Sequence, residues 1–462
     1  KSLLLKIKRL LLIKNILFFL IPLTIYITLS NFIIDEKNVI LVTLLITVII
    51  FWATSIIPDY QTSLIFLFTS LIFSLSSKDI IFSGFSSSAF WLVFAGMLIA
   101  SAIKNVKLSE RFSAFFTNIK NPSYLSILIY INIFSLLFSF IMPSSLGRIV
   151  LLLPIAVIIA KNFGFKEHDN GYVGIMLAFI FSTVIPAFAI LPANVPNMIL
   201  SGLTHEIYGF ELLYSHYLVA NFFVLGFIKN IIIVAMIYFM YHDKVKPSIL
   251  KSEKNLLSKD EKIVIGTTLM MLFFWTTDFI HGISSSVIAI IGVLFLANPA
   301  INIIKNKDLN SINFASLLLV ASIISLGNIV ANNDYIKEVL TTIINHFEPT
   351  SYEILNQIII SLFMAISGIF IAQPSIPAIF TPMAEHISLI SNFSLNEVIM
   401  MEVTAFSTIF LPFQSPPIIV GLALANIKQT KGVKFLLILA VITILFLFPL
   451  QYFWMQLVKN II

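Results

Sequence analysis

The sequence contains no cysteine, few glycines (16) and few charged residues (11% of 462). Without cysteine it has no disulfide, no thiolate nucleophile and no cysteine-ligated metal centre. A glycine-rich phosphate-binding loop such as G-x-G-x-x-G is also absent, which disfavours a nucleotide-driven pump. The apolar runs contain neither H-E-x-x-H nor a nucleophile with a nearby base. We therefore predict that the protein is not an enzyme and has no resident cofactor or metal site.

Apolar side chains are what the sequence has in excess. Hydrophobic residues make up 59% of the chain, 44 residues are phenylalanine, and the mean hydropathy is +1.01. A soluble core of this length cannot hide so much apolar surface, so the bilayer must act as the solvent. The net charge of +6 then reports the topology of the loops and does not indicate a nucleic-acid partner.

Apolar runs long enough to cross a bilayer, about 20 residues each, divide the chain. Two further apolar stretches, 124–161 and 352–389, are too long for one span and are broken near the middle, at MPSSLGR and AQPSIP. Each is either a pair of full spans or a re-entrant hairpin whose tip stops inside the membrane. The predicted fold is an all-α polytopic membrane protein with about eleven transmembrane helices plus two re-entrant hairpins. The eleven predicted spans are 16–34, 39–56, 61–75, 89–103, 174–203, 217–241, 263–279, 286–297, 314–330, 398–425 and 435–458.

The distribution of basic residues predicts the topology. With a cytoplasmic N-terminus, most of the 28 lysines and arginines fall on the cytoplasmic side, as the positive-inside rule requires, while Arg148 and Lys229 lie within the membrane. We predict a multi-pass protein of the cell (inner) membrane, with residues 1–35 as a retained first transmembrane helix.

A charged cytoplasmic linker, 242–262, cuts the remaining chain into two parts, 36–241 and 263–462. Each part holds five spans and one broken stretch, and this odd number forces the second part to insert upside down relative to the first. We therefore predict two inverted repeats, an architecture that secondary transporters use.

Each predicted repeat contains an apolar span interrupted by prolines, LPANVPNMILSG at 191–202 and LPFQSPPIIVG at 411–421. Proline ends a helix and frees backbone groups, which are tolerated at membrane depth only beside protein or a water-filled cavity. Ordinary proline kinks are the alternative, but two breaks in matching places favour a binding site at the repeat interface. Side-chain amides and hydroxyls there can bond an oxyanion or coordinate a cation. The polar side chains concerned are Asn194, Asn197, Gln414 and Ser415.

These motifs resemble those of the divalent-anion/sodium symporter family, which carries dicarboxylates, citrate or sulfate and belongs to the ion transporter superfamily. FLPFQSPPIIVG at 410–421 is similar to the family's Leu-Pro-x-Ala-Thr-Pro-Pro unwound segment, and ANVPNMILSG at 193–202 is similar to its Gly-Thr-Pro-Pro-Asn counterpart. The similarity of layout covers nearly the whole chain. It implies a homodimer in which hairpins and broken helices move as an elevator, with substrate and sodium held between the hairpin tips and the unwound segments.

The hairpin tips depart from the family's Ser-Asn-Thr triplet. Counting back from Pro154 and Pro382, the matching positions hold Ser144-Ser145-Leu146 and Ala372-Gln373-Pro374. The resemblance implies that these positions still contact the substrate. With the break residues, the predicted substrate-binding set is Ser144, Ser145, Arg148, Asn194, Asn197, Gln373, Ser375, Gln414 and Ser415.

Arg148 lies three residues past the first tip, in an apolar stretch where a charge is costly unless it faces a cavity or an acid. A guanidinium near the N-terminal end of the return helix suits an anion. We predict that Arg148 binds the substrate or supplies the positive charge that sodium supplies in relatives. The alternatives are an ion pair with Glu402 and snorkelling to the membrane surface.

Glu402 lies inside the apolar run 398–411, where a carboxylate suits reversible protonation in a proton-coupled carrier. It is our candidate coupling residue, beside a role as a structural partner of Arg148 or as a polar residue facing water.

The predicted function is a secondary active transporter of small divalent oxyanions, dicarboxylate or sulfate, working by elevator-type alternating access and coupled to a cation, with sodium implied by the resemblance. The alternatives are a cation-independent anion exchanger in which Arg148 replaces the coupling sodium, and an anion channel. The expected partners are the small anionic substrate, the bilayer and a second copy of the chain.

Overall fold

Every regular element is helical in the described part of the computed structural model, which covers residues 2–54, 56–108, 122–142, 144–245, 257–344, 348–369 and 373–461. Part of the predicted linker 242–262, and Ala372 at the second predicted tip, lie outside these residues. The helices before the linker are α1 Ser2–Leu29, α2 Glu36–Thr54, α3 Asp59–Ile72, α4 Lys78–Ile81, α5 Ser83–Ser86, α6 Ser88–Asn105, α7 Tyr124–Ile141, α8 Ser145–Asn162, α9 Asn170–Val184, α10 Val195–Tyr208 and α11 Tyr214–Met240. The helices after it are α12 Lys259–Thr276, α13 Asp278–His281, α14 Ser285–Ala297, α15 Asn306–Leu309, α16 Phe314–Ala331, α17 Asp334–Ile344, α18 Glu353–Ser367, α19 Ser375–Phe380, α20 Ala384–Ser391, α21 Leu395–Phe406, α22 Pro416–Leu424 and α23 Gln429–Val458.

The predicted fold class, an all-α polytopic membrane protein, is confirmed, because a helix or a broken helix coincides with each of the eleven predicted spans. Among the described residues, seven helices are long and apolar enough to cross a membrane. Three shorter apolar helices accompany them, namely the 16–29 part of α1, α14 and α18.

The first predicted hairpin forms a helix pair, α7 and α8, of 18 residues each. Each helix is about 27 Å long at 1.5 Å per residue, slightly less than the bilayer core of about 30 Å. The second pair consists of α18 and a return arm in which a 3₁₀ turn, Thr381–Met383, separates α19 from α20.

Helix α9 and the start of the chain after it are enclosed by protein, since every residue from Gly171 to Ala189 is buried. Helix α9 packs against both helices of the first pair and against α11 and α22. The chain that follows α9 is therefore enclosed by protein, which is the condition under which a transmembrane helix can be interrupted.

The two longest span candidates, α11 and α23, contain 27 and 30 residues, and each has a π-helical segment, Phe222–Ile228 and Thr443–Leu447. Wide turns of this kind often mark functional positions in helices. The π segment of α11 ends immediately before Lys229, which is buried.

The two parts of the chain interlock through α16, which packs against α3, α5 and α10. The approach is closest at Gly84, whose N–H donates to the Ser325 hydroxyl at 3.1 Å. A Cβ at position 84 would lie only 1.9 Å from the carbonyl oxygen of Ala321. Glycine therefore lets two backbones meet here, as small residues do where membrane helices touch.

Candidate functional site

A cavity of about 1030 Å³ lies where the two interrupted helices and the two helix pairs meet. We call residues 185–194, between α9 and α10, the first break, and residues 407–415, between α21 and α22, the second break. Helices α6 and α16 form much of the remaining wall. The predicted site residues that line the cavity are Ser144, Ser145, Asn194, Gln373 and Ser415. The other predicted residues are buried and do not line the cavity, namely Arg148, Asn197, Ser375, Gln414 and Glu402.

The first predicted tip forms the N-terminus of α8. The Ser144 hydroxyl accepts the N–H of Gly147 at 3.2 Å and so caps the helix. The first two helical N–H groups, those of Ser145 and Leu146, have no acceptor within the helix, and both residues line the cavity. The positive end of the α8 dipole and two backbone donors therefore face the cavity, an arrangement that binds anions.

The first break consists of two 3₁₀ turns, Pro186–Ala189 and Leu191–Ala193, and α10 restarts after Asn194. The Asn194 side chain accepts the N–H of Asn197 at 3.4 Å, while its own Nδ2 has no partner among the described residues. Asn197 points the other way and donates to carbonyl oxygens within the break, those of Ala187 at 3.1 Å and Ile190 at 2.7 Å. One amide therefore faces the cavity and the other satisfies freed backbone groups.

Arg148 is fully buried, and its guanidinium binds oxygens from three segments. It donates to the carbonyls of Thr183 at 3.0 Å, Ala193 at 3.0 Å and Met142, and to the Ser145 hydroxyl at 3.0 Å. These carbonyls lie at the ends of α9, the first break and α7, where helices leave acceptors unpaired. The guanidinium therefore holds the first helix pair against the first break, directly behind the cavity wall.

Neither of the two alternatives for Arg148, snorkelling to the membrane surface and an ion pair with Glu402, describes this geometry. Snorkelling is excluded by its complete burial, and among the described residues it contacts no carboxylate.

Glu402 accepts a hydrogen bond from the Thr381 hydroxyl at 2.9 Å, and its Oε1 has no partner among the described groups. Glu402 therefore connects α21 to the return arm of the second pair. Ser375, on the same arm, is buried, and its hydroxyl has no partner within the described part of the chain.

Two glutamines organise the second break. Gln414 donates to the carbonyl of Gly368 at 2.7 Å, and its Oε1 accepts the N–H groups of Phe410 and Leu411, each at 2.8 Å. Gln373 donates through its side chain to the carbonyl of Phe406. The Gln414 amide therefore binds the second break to the second helix pair, and the Gln373 amide binds that pair to the end of α21.

Lys229 is the functional candidate to which sequence reasoning gave no role. Its side chain is 1% exposed, and Nζ donates to the carbonyl of Ser407 at 2.7 Å, where α21 ends. A buried cation thus caps the carbonyl end of each interrupted helix, Arg148 at α9 and Lys229 at α21. The signal was present in the sequence, because a lone lysine inside an apolar run is by itself a functional hypothesis.

Interrupted helices with buried cations around one internal cavity, in a polytopic all-α chain, define a membrane transport protein. A profile described as the sodium:sulfate symporter transmembrane region matches residues 9–460. The chain therefore belongs to the sodium:sulfate symporter family, which is a family of transporters and not of enzymes. The resemblance inferred from the motifs, the prediction of an anion transporter and the prediction that the chain is not an enzyme are all confirmed.

No curated protein matches the chain. Among solved structures, the crystal structure of the YdaH transporter of Alcanivorax borkumensis, described as having an unusual topology, is similar with a TM-score of 0.49 and 13% sequence identity. The match covers 82% of this chain and 88% of the other.

Proposed function

We propose that the protein is a secondary active transporter of a small divalent oxyanion, a dicarboxylate or sulfate, that works by elevator-type alternating access. The observation that carries this proposal is the convergence of both predicted tips and both breaks on one cavity. A site shared by two opposed sets of elements can be exposed to one side of the membrane and then to the other.

Electrostatics supports an anionic cargo. Helices α8, α10 and α22 all begin at the cavity, because Ser145, Val195 and Pro416 are among its lining residues. The positive ends of three helix dipoles therefore point at one volume, and the charge of Arg148 lies behind it. Such a site favours negative charge over neutral or positive cargo.

The mechanism has several further parts. The chain works as two inverted repeats, 36–241 and 263–462, with both helix pairs re-entrant and a homodimer as the functional unit.

The protein lies in the inner membrane with its N-terminus in the cytoplasm. Lys104 and Lys307 line the cavity, and the positive-inside rule assigns both to the cytoplasmic side, which supports an inward-open state for this conformation.

Symport with sodium is the coupling that the family description favours. Exchange without a coupling cation is a second candidate, and the contacts of Arg148 support it. Hard cations in proteins bind carbonyl and hydroxyl oxygens, and here three carbonyls and one hydroxyl already surround the guanidinium. Proton coupling through Glu402 is a third candidate, supported by the burial of a carboxylate with one unpartnered oxygen.

Counterflow in proteoliposomes tests the proposal. Purified protein is reconstituted, and uptake of labelled sulfate and labelled succinate is measured against the unlabelled anion inside, with and without an inward sodium gradient. We expect saturable counterflow of at least one anion. Acceleration by sodium supports symport, sodium-independent counterflow supports exchange, and large unsaturable currents or no counterflow of either anion contradict the proposal.

A further inference from the structure

We infer that the first tip and the first break supply most of the hydrogen-bond donors that the described residues offer to the anion site, so that the cargo is a compact anion whose oxygens all lie close together. This inference rests on the proposed function and specifies its substrate class. A compact oxyanion fits such a site, whereas an extended dicarboxylate would find few donors for its second carboxylate.

We call the first tip and first break the first side of the cavity, and the second tip and second break its second side. The backbone donors of the first side come from two helix starts. The N–H groups of Ser145 and Leu146 open α8, and that of Val195 opens α10; none has an acceptor within its helix. The Ser144 hydroxyl accepts from Gly147, which leaves its proton available to a ligand. All four residues line the cavity.

Asn194 points to a ligand independently of these helix termini. The residue lines the cavity and is only 6% exposed, yet its Nδ2 has no hydrogen-bond partner among the described groups. A buried donor without an acceptor is costly, and an anion oxygen in the cavity would remove that cost. Its Oδ1 is already used to cap α10, so the amide orientation follows from the cap.

On the second side, the helix start that lines the cavity, that of α22, lacks its first two donors. Pro416 and Pro417 occupy the first two positions of α22 and carry no N–H, and the N–H of Ile418 bonds the Ser415 carbonyl at 2.9 Å. The side chains of Gln373 and Gln414 each donate one of their two N–H groups to a backbone carbonyl, as described above. Within the described part of the second tip and second break, the donors left to the cavity are the Ser415 hydroxyl and the second N–H of Gln373, since Gln414 does not line the cavity.

The charged groups elsewhere in the lining offer little net attraction for a second carboxylate. Lys104 and Lys307 are accompanied by two acids, Asp59 and Asp308. Opposite charges in equal number cancel at a distance. The unbalanced positive charge next to the cavity is therefore that of Arg148, on the first side.

Competition in the counterflow assay tests the inference with the wild-type protein. Unlabelled sulfate and unlabelled succinate are titrated against uptake of labelled sulfate. We expect half-inhibition by succinate to need a concentration at least about tenfold higher than by sulfate, because the second carboxylate of succinate loses its hydration without gaining equivalent partners. Equal or stronger competition by succinate would overturn the inference and leave the proposed function intact. Failure of both anions to exchange would overturn both.

A matched pair of variants assigns the effect to the two sides. Asn194→Asp keeps the oxygen that caps α10 and removes the Nδ2 donor, so we expect the half-saturating sulfate concentration to rise about tenfold or more with unchanged thermal unfolding. Ser415→Ala should change it less than about threefold. If the Asn194 side chain neither binds the anion nor lies near it, sulfate affinity stays unchanged despite the added negative charge. That result, or a larger effect of Ser415→Ala, would contradict the inference, and the wild-type competition remains decisive if a variant does not fold.

Discussion

At the scale of single residues, the polar side chains in and beside the two breaks are of two kinds. Some face the cavity, and others hydrogen-bond the backbone groups that the breaks leave unpaired. Asn194 and Ser415 belong to the first kind, and Asn197, Gln414 and Arg148 to the second. An interrupted transmembrane helix needs both kinds, because its unpaired carbonyls must be satisfied before a ligand can be bound.

Arg148 is the residue whose replacement should have the largest effect. In Arg148→Gln, the positive charge is lost, and an amide cannot reach all the oxygens that the guanidinium binds. We expect anion uptake to fall at least about tenfold and the thermal unfolding temperature to drop. Lys166→Gln, which removes an exposed cation, serves as the control. Near-normal uptake by Arg148→Gln would remove Arg148 from the site.

Glu402 is tested by the pH dependence of uptake. If Glu402 carries a coupling proton, uptake should rise as the external pH falls, because more of the carrier is loaded from that side, and Glu402→Gln should abolish this dependence. Glu397→Gln is the matched control, since Glu397 lies on α21 at its N-terminal capping box. Identical pH profiles in the wild type and Glu402→Gln would exclude the coupling role.

The residue types of the site could be predicted from the sequence, but their directions could not. Asn194 and Asn197 are three residues apart in the same motif, yet one faces the cavity and the other faces the break. Only the path of the unwound backbone decides which carbonyls need a donor, and that path depends on packing between segments distant in sequence. The buried charge of Lys229 was visible in the sequence, but its partner could not be predicted for the same reason, since Ser407 lies 178 residues away.

At the scale of helices, local signals located the interruptions closely. Proline fixes where a helix can restart, and α10 and α22 begin at or next to a proline. Pro382 likewise lies in the 3₁₀ turn Thr381–Met383, whereas the π segment Phe222–Ile228 contains no proline and has no comparable signal in the sequence. The π segment depends on how the helices pack around the cavity.

Close helix packing at Gly84 provides a prediction at this scale. Gly84→Ala places a methyl group against the backbone of α16. Neither backbone can make room for this methyl group unless the two helices separate. We expect a lower thermal unfolding temperature and reduced yield of folded protein, measured in detergent by fluorescence and size-exclusion chromatography.

Gly266→Ala is the matched control, because a Cβ at position 266 in α12 meets nothing within 4 Å. Helix propensity alone should make that variant neutral or slightly more stable. Equal stability of the Gly84 and Gly266 variants would refute the close contact.

At the scale of the whole molecule, the absence of cysteine makes the topology directly measurable. Single cysteines can be introduced without background at two exposed lysines, Lys78 and Lys166. With a cytoplasmic N-terminus, a membrane-impermeant maleimide should label Lys78→Cys in intact cells and label Lys166→Cys only in inverted vesicles. The opposite pattern would reverse the proposed orientation.

The measurement that bears most directly on the shared anion cavity is protection of a single cysteine by the cargo. Val150 lines the cavity on α8 and is 52% exposed, so Val150→Cys should react readily with a thiol reagent in the purified protein. We predict that sulfate slows this reaction in a saturable manner and leaves the labelling of Lys166→Cys unchanged. Labelling of Val150→Cys at one constant rate, whatever the concentration of sulfate or succinate, would show that the cavity formed by the two breaks is not the anion site.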